Sequence, residues 1–421
     1  MPISSAFKDR LFPGLKKIAE HFGTPFHLYD EAGMRQTAEH LKTSFSQIPA
    51  EFKEFFAVKA LPNPHIMKIM LDSGFGFDCS SIPELELSRR TGACGEQILF
   101  TSNNTTREDF EAAMADGGSI LNLDDITLTN KLPKMPELIS FRYNPGPRRT
   151  GNEIIGNPAE AKYGVSHDQI EDAYRTMRDR GIKRFGLHTM LVSNELNYAY
   201  MVETVRMLLD LVERLSEALS IRFEFINMGG GLGIPYRPEE PSLDVAAMAS
   251  EIAGIYGRFK QKHESVPDLF MESGRYMTGP HGVLVTRAIN EKNIYRRYIG
   301  VDSCMSALMR PGMYGAYHHI AVLGKSAETH QIRTVDVVGS VGENNDKFAV
   351  QRDLPDIDAG DLLIIQDTGA HGHAMGFNYN AKLRPQELLL KPDGAVCRIR
   401  RAETMDDYFA TLDFTPEQLR L

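Results

Sequence analysis

The chain has 421 residues, with 47 Lys and Arg against 56 Asp and Glu, a formal charge of −9 at pH 7. Hydrophobic residues at 42% and charged residues at 24% are ordinary for a globular protein, and the length suits two or three domains with sizeable cores. The acidic balance argues against a nucleic-acid or anionic-membrane surface, which needs basic patches to bind phosphates, but leaves a local anion pocket open.

No stretch approaches the roughly 18 uncharged apolar residues of a membrane span. The opening Met-Pro-Ile-Ser-Ser-Ala-Phe-Lys-Asp-Arg lacks the apolar core of a secretory signal. The four cysteines (Cys79, Cys94, Cys304 and Cys397) are far apart, with no CxxC pair for zinc or redox work. A cytoplasmic location is expected, with reduced thiols that each act as a small buried hydrophobe.

From residue 25 to 275 short apolar runs alternate with amphipathic stretches. Phe26–Tyr29 precedes a helical segment, and Phe55–Val58 precedes a helix over Pro64–Leu71. Gln97–Phe100 leads into Thr106–Asp116, then Ser119–Leu123 follows, and Phe185–His188 precedes a long helix. That helix carries Met201, Val205, Leu208, Val212 and Leu215 at 3- and 4-residue spacing, with Glu203, Arg206, Asp210, Glu213 and Glu217 on the other face. Phe223–Met228 and Leu269–Met271 read as further buried strands. Repeated strand-then-helix units imply a parallel sheet, either doubly wound or closed as a (β/α)8 barrel. After about residue 280, strand-like Val283–Val285, Tyr298–Val301, His319–Leu323, Ile332–Val338 and Leu362–Gln366 are separated by turns such as Pro392-Asp393-Gly394. A mostly antiparallel β-domain is expected there, with a short helix near Met405–Leu412.

The run Gly229-Gly230-Gly231-Leu232-Gly233 follows a strand. It fails the dinucleotide spacing, because Ile234 or Tyr236 stands where the third glycine belongs, and no Gly-Lys-Ser/Thr completes a P-loop. Two readings remain, a backbone able to approach a single phosphate or a tight turn into the next element. Lys59 closes an apolar strand, and in a barrel a polar side chain there points at the active-site mouth. Partial desolvation would lower its pKa and make it a Schiff-base nucleophile, unless it simply leaves for solvent. His188 ends another strand, as ligand-facing group or hydrogen-bonded structural histidine. Glu272 and Arg275, in Glu272-Ser273-Gly274-Arg275, offer either a surface ion pair or a carboxylate for a protonated pyridine nitrogen. Arg310-Pro311-Gly312-Met313-Tyr314 gives a guanidinium beside a phenol, suited to a carboxylate or merely a turn. His318 and His319 have no third ligand at metal-site spacing, so no metal is expected.

These motifs in this order resemble the fold-type-III pyridoxal-phosphate decarboxylases, and diaminopimelate decarboxylase in particular. Gly23-Thr24-Pro25…Leu28-Tyr29-Asp30, Ala57-Val58-Lys59-Ala60, Phe77-Asp78-Cys79-Ser80-Ser81…Glu84-Leu85, Arg142-Tyr143-Asn144-Pro145 and Lys162-Tyr163-Gly164 carry the first half. The triple glycine, Glu272–Arg275, Arg310–Tyr314, Glu343-Asn344-Asn345-Asp346 and Tyr379-Asn380 complete it. The resemblance implies an α/β protein with a (β/α)8 TIM-type barrel over residues 35–280. A β-domain built from 1–34 and 281–421 accompanies it, and the homodimer has active sites shared across its interface. It implies a pyridoxal 5'-phosphate cofactor bonded to Lys59, with His188 on the ring and Glu272 at the ring nitrogen. Asp78, Ser193, Gly230, Gly231, Gly233, Arg275 and His371 would complete the cofactor site. Arg275, Arg310, Tyr314, Glu343 and His371 would bind a small amino-acid substrate, Glu343 reaching across the interface.

Three departures stand out. Gly342 occupies the place of the family's proton-donating cysteine, which leaves Lys59, His371 or water for that task. His371 replaces a tyrosine, and His188-Thr189-Met190-Leu191-Val192-Ser193-Asn194 replaces a shorter segment, leaving Ser193 for its phosphate-binding serine. The implied activity is decarboxylation of meso-diaminopimelate to lysine, within lysine biosynthesis. The alternatives are decarboxylation of another amino acid (ornithine- or lysine-type, or carrier-bound), a racemase, and a catalytically silent homologue. Glu272 counts against the racemase, and retained Lys59 and Glu272 oppose the silent homologue that the missing cysteine favours.

Overall fold

The computed structural model describes residues 3–152 and 154–419. The chain divides into two compact units, one spanning Glu31–Pro280 and the other formed by residues up to Asp30 with those from His281 onward. In chain order the strands are β1 (Phe26–Asp30), β2 (Phe52–Ala57), β3 (Gly76–Cys79), β4 (Ile98–Ser102), β5 (Ile120–Leu123) and β6 (Leu138–Asn144). Then come β7 (Val165–Ser166), β8 (Arg184–His188), β9 (Phe223–Asn227) and β10 (Asp268–Met271).

In the first unit β2, β3, β4, β5, β6, β8, β9 and β10 pair in parallel and close on themselves, so the repeated units form the barrel rather than an open sheet. Phe55, Leu99, Ile120, Leu138, Phe225 and Phe270, one from each of six strands, pack together inside it. The Phe225 and Phe270 rings stack at 4.2 Å. A Cβ on Gly186 would lie 2.0 Å from the Phe225 ring, so this strand needs glycine to admit the phenyl group. The helix Tyr198–Leu219 buries Met201, Val205, Leu208, Val212 and Leu215 as its 3.6-residue pattern requires.

The second unit adds β11 (Gly282–Asn293), β12 (Arg297–Val301), β13 (Ile320–Val322), β14 (Ile332–Val338), β15 (Lys347–Pro355), β16 (Leu362–Gln366), β17 (Gln386–Leu390) and β18 (Val396–Arg400). Pairing is mostly antiparallel, with β1–β17 and β12–β14 parallel. β1 lies inside this sheet, between β11 and β17. Helices Ser5–Leu11 and Leu15–Phe22 lay Phe7, Leu11, Leu15 and Ala19 over Phe26, Leu28, Val283 and Leu388. The C-terminal helix is shorter than its sequence pattern, Met405–Phe409. Two cysteine expectations are corrected. Cys79 and Cys304 are buried, but Cys94 and Cys397 are exposed, the first beginning a short turn and the second on β18, which pairs on one side only. Among the described residues no helix is long and apolar enough to cross a membrane.

A polar network is sealed in this second unit. The Tyr29 hydroxyl donates to Glu387 at 2.6 Å, Arg400 pairs with the same carboxylate, and the His27 and His373 rings meet edge to face at 5.7 Å. Burial and the neighbouring His373 push His27 down to about 3. His27 is therefore neutral in the fold, and its stabilising contribution is complete above about pH 6.5, where the unfolded chain is neutral too, and falls as pH drops toward 3. At pH 4.5, two units below that point, the loss approaches about 2–3 kcal/mol at about 1.36 kcal/mol per unit. His27→Leu should flatten the decline in denaturation midpoint between pH 7.5 and 4.5, and an unchanged slope would contradict this.

Candidate active site

The C-terminal ends of the barrel strands carry a buried acid–base cluster. Strand β2 ends in the short turn Val58–Ala60, which places the Lys59 side chain, 56% exposed, at the barrel mouth. Its ammonium lies 3.6 Å from Asp78 Oδ2 on β3, whose side chain is buried. The carboxylate outweighs burial and raises the Lys59 pKa, which corrects the expectation of a lowered one. Burial, helped by the charge of Glu272, in turn pushes Asp78 up to about 8 against the pull of Lys59.

Glu272 follows β10 and is buried, so it forms no surface ion pair. Its Oε2 lies 3.2 Å from His188 Nε2 at the end of β8, and its Oε1 accepts from Asn227 Nδ2 at 2.8 Å at the end of β9. Burial opposes its ionisation, but His188, Lys59 and the Asn227 amide together hold its carboxyl below the usual range. His188 Nδ1 and Asp78 Oδ1 are buried atoms with no hydrogen-bond partner among the described residues. Two polar atoms left open beside an amine and an ionised acid mark a place built for another polar molecule.

The glycine run serves the fold here. A Cβ on Gly230 would sit 2.3 Å from the Glu272 carbonyl oxygen, and one on Gly231, at φ +98°, would sit 2.4 Å from that of Val192. These glycines let the loop pass against its neighbours, and Gly233 donates its N–H to the Glu195 carbonyl at 2.9 Å. Arg275 donates to the Tyr236 hydroxyl at 2.6 Å and to Ser193 Oγ at 3.5 Å, which brings these two predicted residues together beside the glycines.

The remaining predicted residues belong to the second unit. Arg310 is buried, 3.1 Å from His318 Nε2. His318 Nδ1 is 2.8 Å from the Gln366 carbonyl, which can only accept, so Nδ1 carries the proton and Nε2 accepts from Arg310. Tyr314 is 64% exposed, and Glu343 is exposed beside Gly342, whose N–H donates to Asn380 Oδ1 at 2.7 Å. His371 is half-buried with φ +57°, a conformation in which a non-glycine residue is uncommon.

The sequence reading missed Asn227, although it directly precedes the Met228-Gly229 turn. It also missed the role of Arg142, buried 3.6 Å from Asp124 and 4.3 Å from the Tyr163 ring centroid. Glu54 was missed too, because it follows Lys53 and reads as part of the charged lead-in to the apolar Phe55-Phe56-Ala57-Val58 run before Lys59.

Residues 33–279 match the family described as "Pyridoxal-dependent decarboxylase, pyridoxal binding domain". The chain belongs to the pyridoxal-dependent decarboxylases. It is 43% identical over 417 residues to the Protein TabA of Pseudomonas amygdali pv. tabaci, covering 99% of this chain and 97% of that one. It is 36% identical over 397 residues to the diaminopimelate decarboxylase of Methanothermobacter thermautotrophicus, covering 93% and 92%. Among solved structures, the diaminopimelate decarboxylase of M. jannaschii in complex with L-lysine superposes with a TM-score of 0.87 at 28% identity, covering 95% of this chain and 94% of that one. This decarboxylase is accordingly a carboxy-lyase that uses pyridoxal 5'-phosphate. The residues at the barrel mouth fit that group. A primary amine faces the opening, an ionised buried acid lies within the cluster, open polar atoms flank both, and Arg275 and Ser193 supply donors for a phosphate.

Proposed function

We propose that the enzyme removes CO2 from meso-diaminopimelate to give L-lysine, as a homodimer in which each active site is completed by the partner's β-domain. The observation that carries the chemistry is Glu272, a carboxyl kept ionised despite full burial by His188, Lys59 and Asn227. Bound pyridoxal phosphate supplies the electron sink that accepts the bond pair released with CO2. Glu272 holds a proton at the ring nitrogen, which deepens that sink. His188 covers the ring. Arg275 and Ser193 would take the phosphate, with the close-packed Gly230, Gly231 and Gly233 leaving room for it and Asp78 and His371 completing the surround. Lys59 would hold the aldehyde carbon of the cofactor, and its amine, 3.6 Å from Asp78, is placed to carry a proton at the barrel mouth, a role also open to His371 or water where Gly342 offers no thiol. Arg310 and Tyr314 hold the distal carboxylate, and Glu343 the distal ammonium. The substrate assignment rests on the diaminopimelate decarboxylases among the relatives.

A second reading keeps the reaction and changes the amino acid. It is favoured by the higher identity to Protein TabA and by Gly342. Incubating cofactor-loaded protein with meso-diaminopimelate, L-lysine and L-ornithine while collecting CO2 separates the two. Gas and L-lysine from diaminopimelate alone are expected. Gas from another of the three alone would transfer the assignment to it, and inversion of configuration without gas would remove the decarboxylase reading.

A further inference from the structure

Glu54 is an acid that the active-site chemistry has not used. It lies on β2, five residues before Lys59, and is 2% exposed. Its neighbour Phe55 packs inside the barrel, so alternation along the strand turns Glu54 outward, into the layer between barrel and helices. The parallel ladder between β2 and β10 runs Phe52–Leu269, Lys53–Phe270 and Glu54–Met271 and stops there. Beyond it, β2 turns into the segment that carries Lys59 and β10 runs on into Glu272. At this fork Glu54 Oε1 accepts the backbone N–H of Ser273, the residue after Glu272, so a side chain continues the pairing that the backbone has ended. The joint is tight, since a Cβ on Gly274 would lie 2.7 Å from Ala60 Cβ and 3.2 Å from Ala57 Cβ.

We propose that Glu54 is a positioning residue of the active site, its carboxyl fixing the Ser273 N–H and thereby the strand end that carries Glu272 against the turn that carries Lys59. The acid does this in its neutral form. Its second oxygen is buried with no hydrogen-bond partner among the described residues, the charged groups that act on it, Glu272 and Asp78, are themselves acids, and burial pushes its carboxyl well up. A single amide donor does not compensate the burial of a full charge. With Glu54 neutral, the negative charge at this strand end belongs to Glu272 alone. The inference rests on the reading of Glu272 as the partner of the ring nitrogen.

The test uses the cofactor-loaded protein with Glu54→Gln and Glu54→Leu. At neutral pH the wild type should show the infrared carbonyl band of a protonated carboxyl that both variants lose; no such difference overturns the proposal. Glu54→Gln keeps an acceptor for Ser273 and should hold kcat, and the pH midpoint of the bound-cofactor absorption, within about twofold and a few tenths of a unit respectively. Glu54→Leu leaves a buried N–H unpaired and should lose kcat about tenfold or more at nearly constant KM, with a shifted absorption midpoint. Equal losses in both variants, or none in either, overturn it. Should the leucine variant not fold, a glutamine variant that loses tenfold overturns the proposal and one that does not, with the infrared band lost, supports it. If the wild type binds cofactor but turns over no amino acid, the functional reading fails, while the infrared band and absorption midpoint still decide the role of Glu54.

Discussion

Glu272→Ala is expected to lower kcat by about 10²–10³-fold while the protein stays folded and retains bound cofactor. A neighbouring carboxylate that raises the ring-nitrogen pKa by two to three units stabilises the protonated ring by about 3–4 kcal/mol at about 1.36 kcal/mol per unit, and that stabilisation is felt when charge flows into the ring. The alanine also leaves His188 Nε2 and Asn227 Nδ2 without their common partner, since Glu272 Oε2 and Oε1 bind them at 3.2 Å and 2.8 Å. Some loss of thermal stability should therefore accompany the kinetic effect, but cofactor retention separates the two, because Lys59 is untouched. Single-turnover measurement of CO2 release is the decisive readout. Turnover near the wild-type rate with cofactor in place would remove Glu272 from its assigned role.

Lys59→Ala should be more severe, with kcat falling at least about 10³-fold, the upper range for a positioned nucleophile that also moves a proton. The variant loses the amine that anchors the cofactor, so borohydride should no longer fix the cofactor to the protein. Folding should survive. Lys59 is half exposed at the mouth, and its deletion leaves Asp78 beside one less cation. Burial already pushes Asp78 up, to about 8, so without Lys59 that carboxyl takes up a proton more readily and the site tolerates the change. Added primary amines should restore part of the rate, whereas a variant that keeps full activity, or that borohydride still labels at the barrel, would contradict the assignment.

The alternation of strands and helices was legible because its signals are local and periodic, whereas closure into a barrel followed only from the family resemblance. The helix Tyr198–Leu219 displays its buried stripe directly, and Phe185–His188 and Leu269–Met271 are apolar runs with a polar residue at or just past the end that faces the mouth. Strands β15 and β18 were not read, because exposed or charged positions such as Gln351, Arg352, Arg398 and Arg400 interrupt their apolar pattern on a sheet with a solvent face, and β17 was not read because it opens on the buried polar pair Gln386 and Glu387. At the active site, Lys59, His188 and Glu272 stand out as polar residues at strand ends, though each alone also admits a structural reading and only the order of the motifs singled them out. Asn227 and Glu54 do not stand out, since what each does depends on which strand lies alongside, and adjacency between residues 54 and 273 is a property of barrel closure. The direction of the Lys59 shift was likewise hidden, because it is set by Asp78 on the next strand rather than by the apolar run that precedes the lysine.

The central place of β1 in its sheet has a bearing on how the chain is made. Its two flanking strands, β11 and β17, begin at Gly282 and Gln386, so the unit spanning Glu31–Pro280 is an insertion between parts of another. At about 5–20 residues per second, those 280 − 31 + 1 = 250 residues take on the order of 10–50 s to emerge from a ribosome, and for that time β1 has neither flanking strand. An unpaired edge invites association with other nascent chains. Helices Ser5–Leu11 and Leu15–Phe22 precede it and end up over Phe26 and Leu28, so they are available from the start to blanket its apolar face until the late strands arrive.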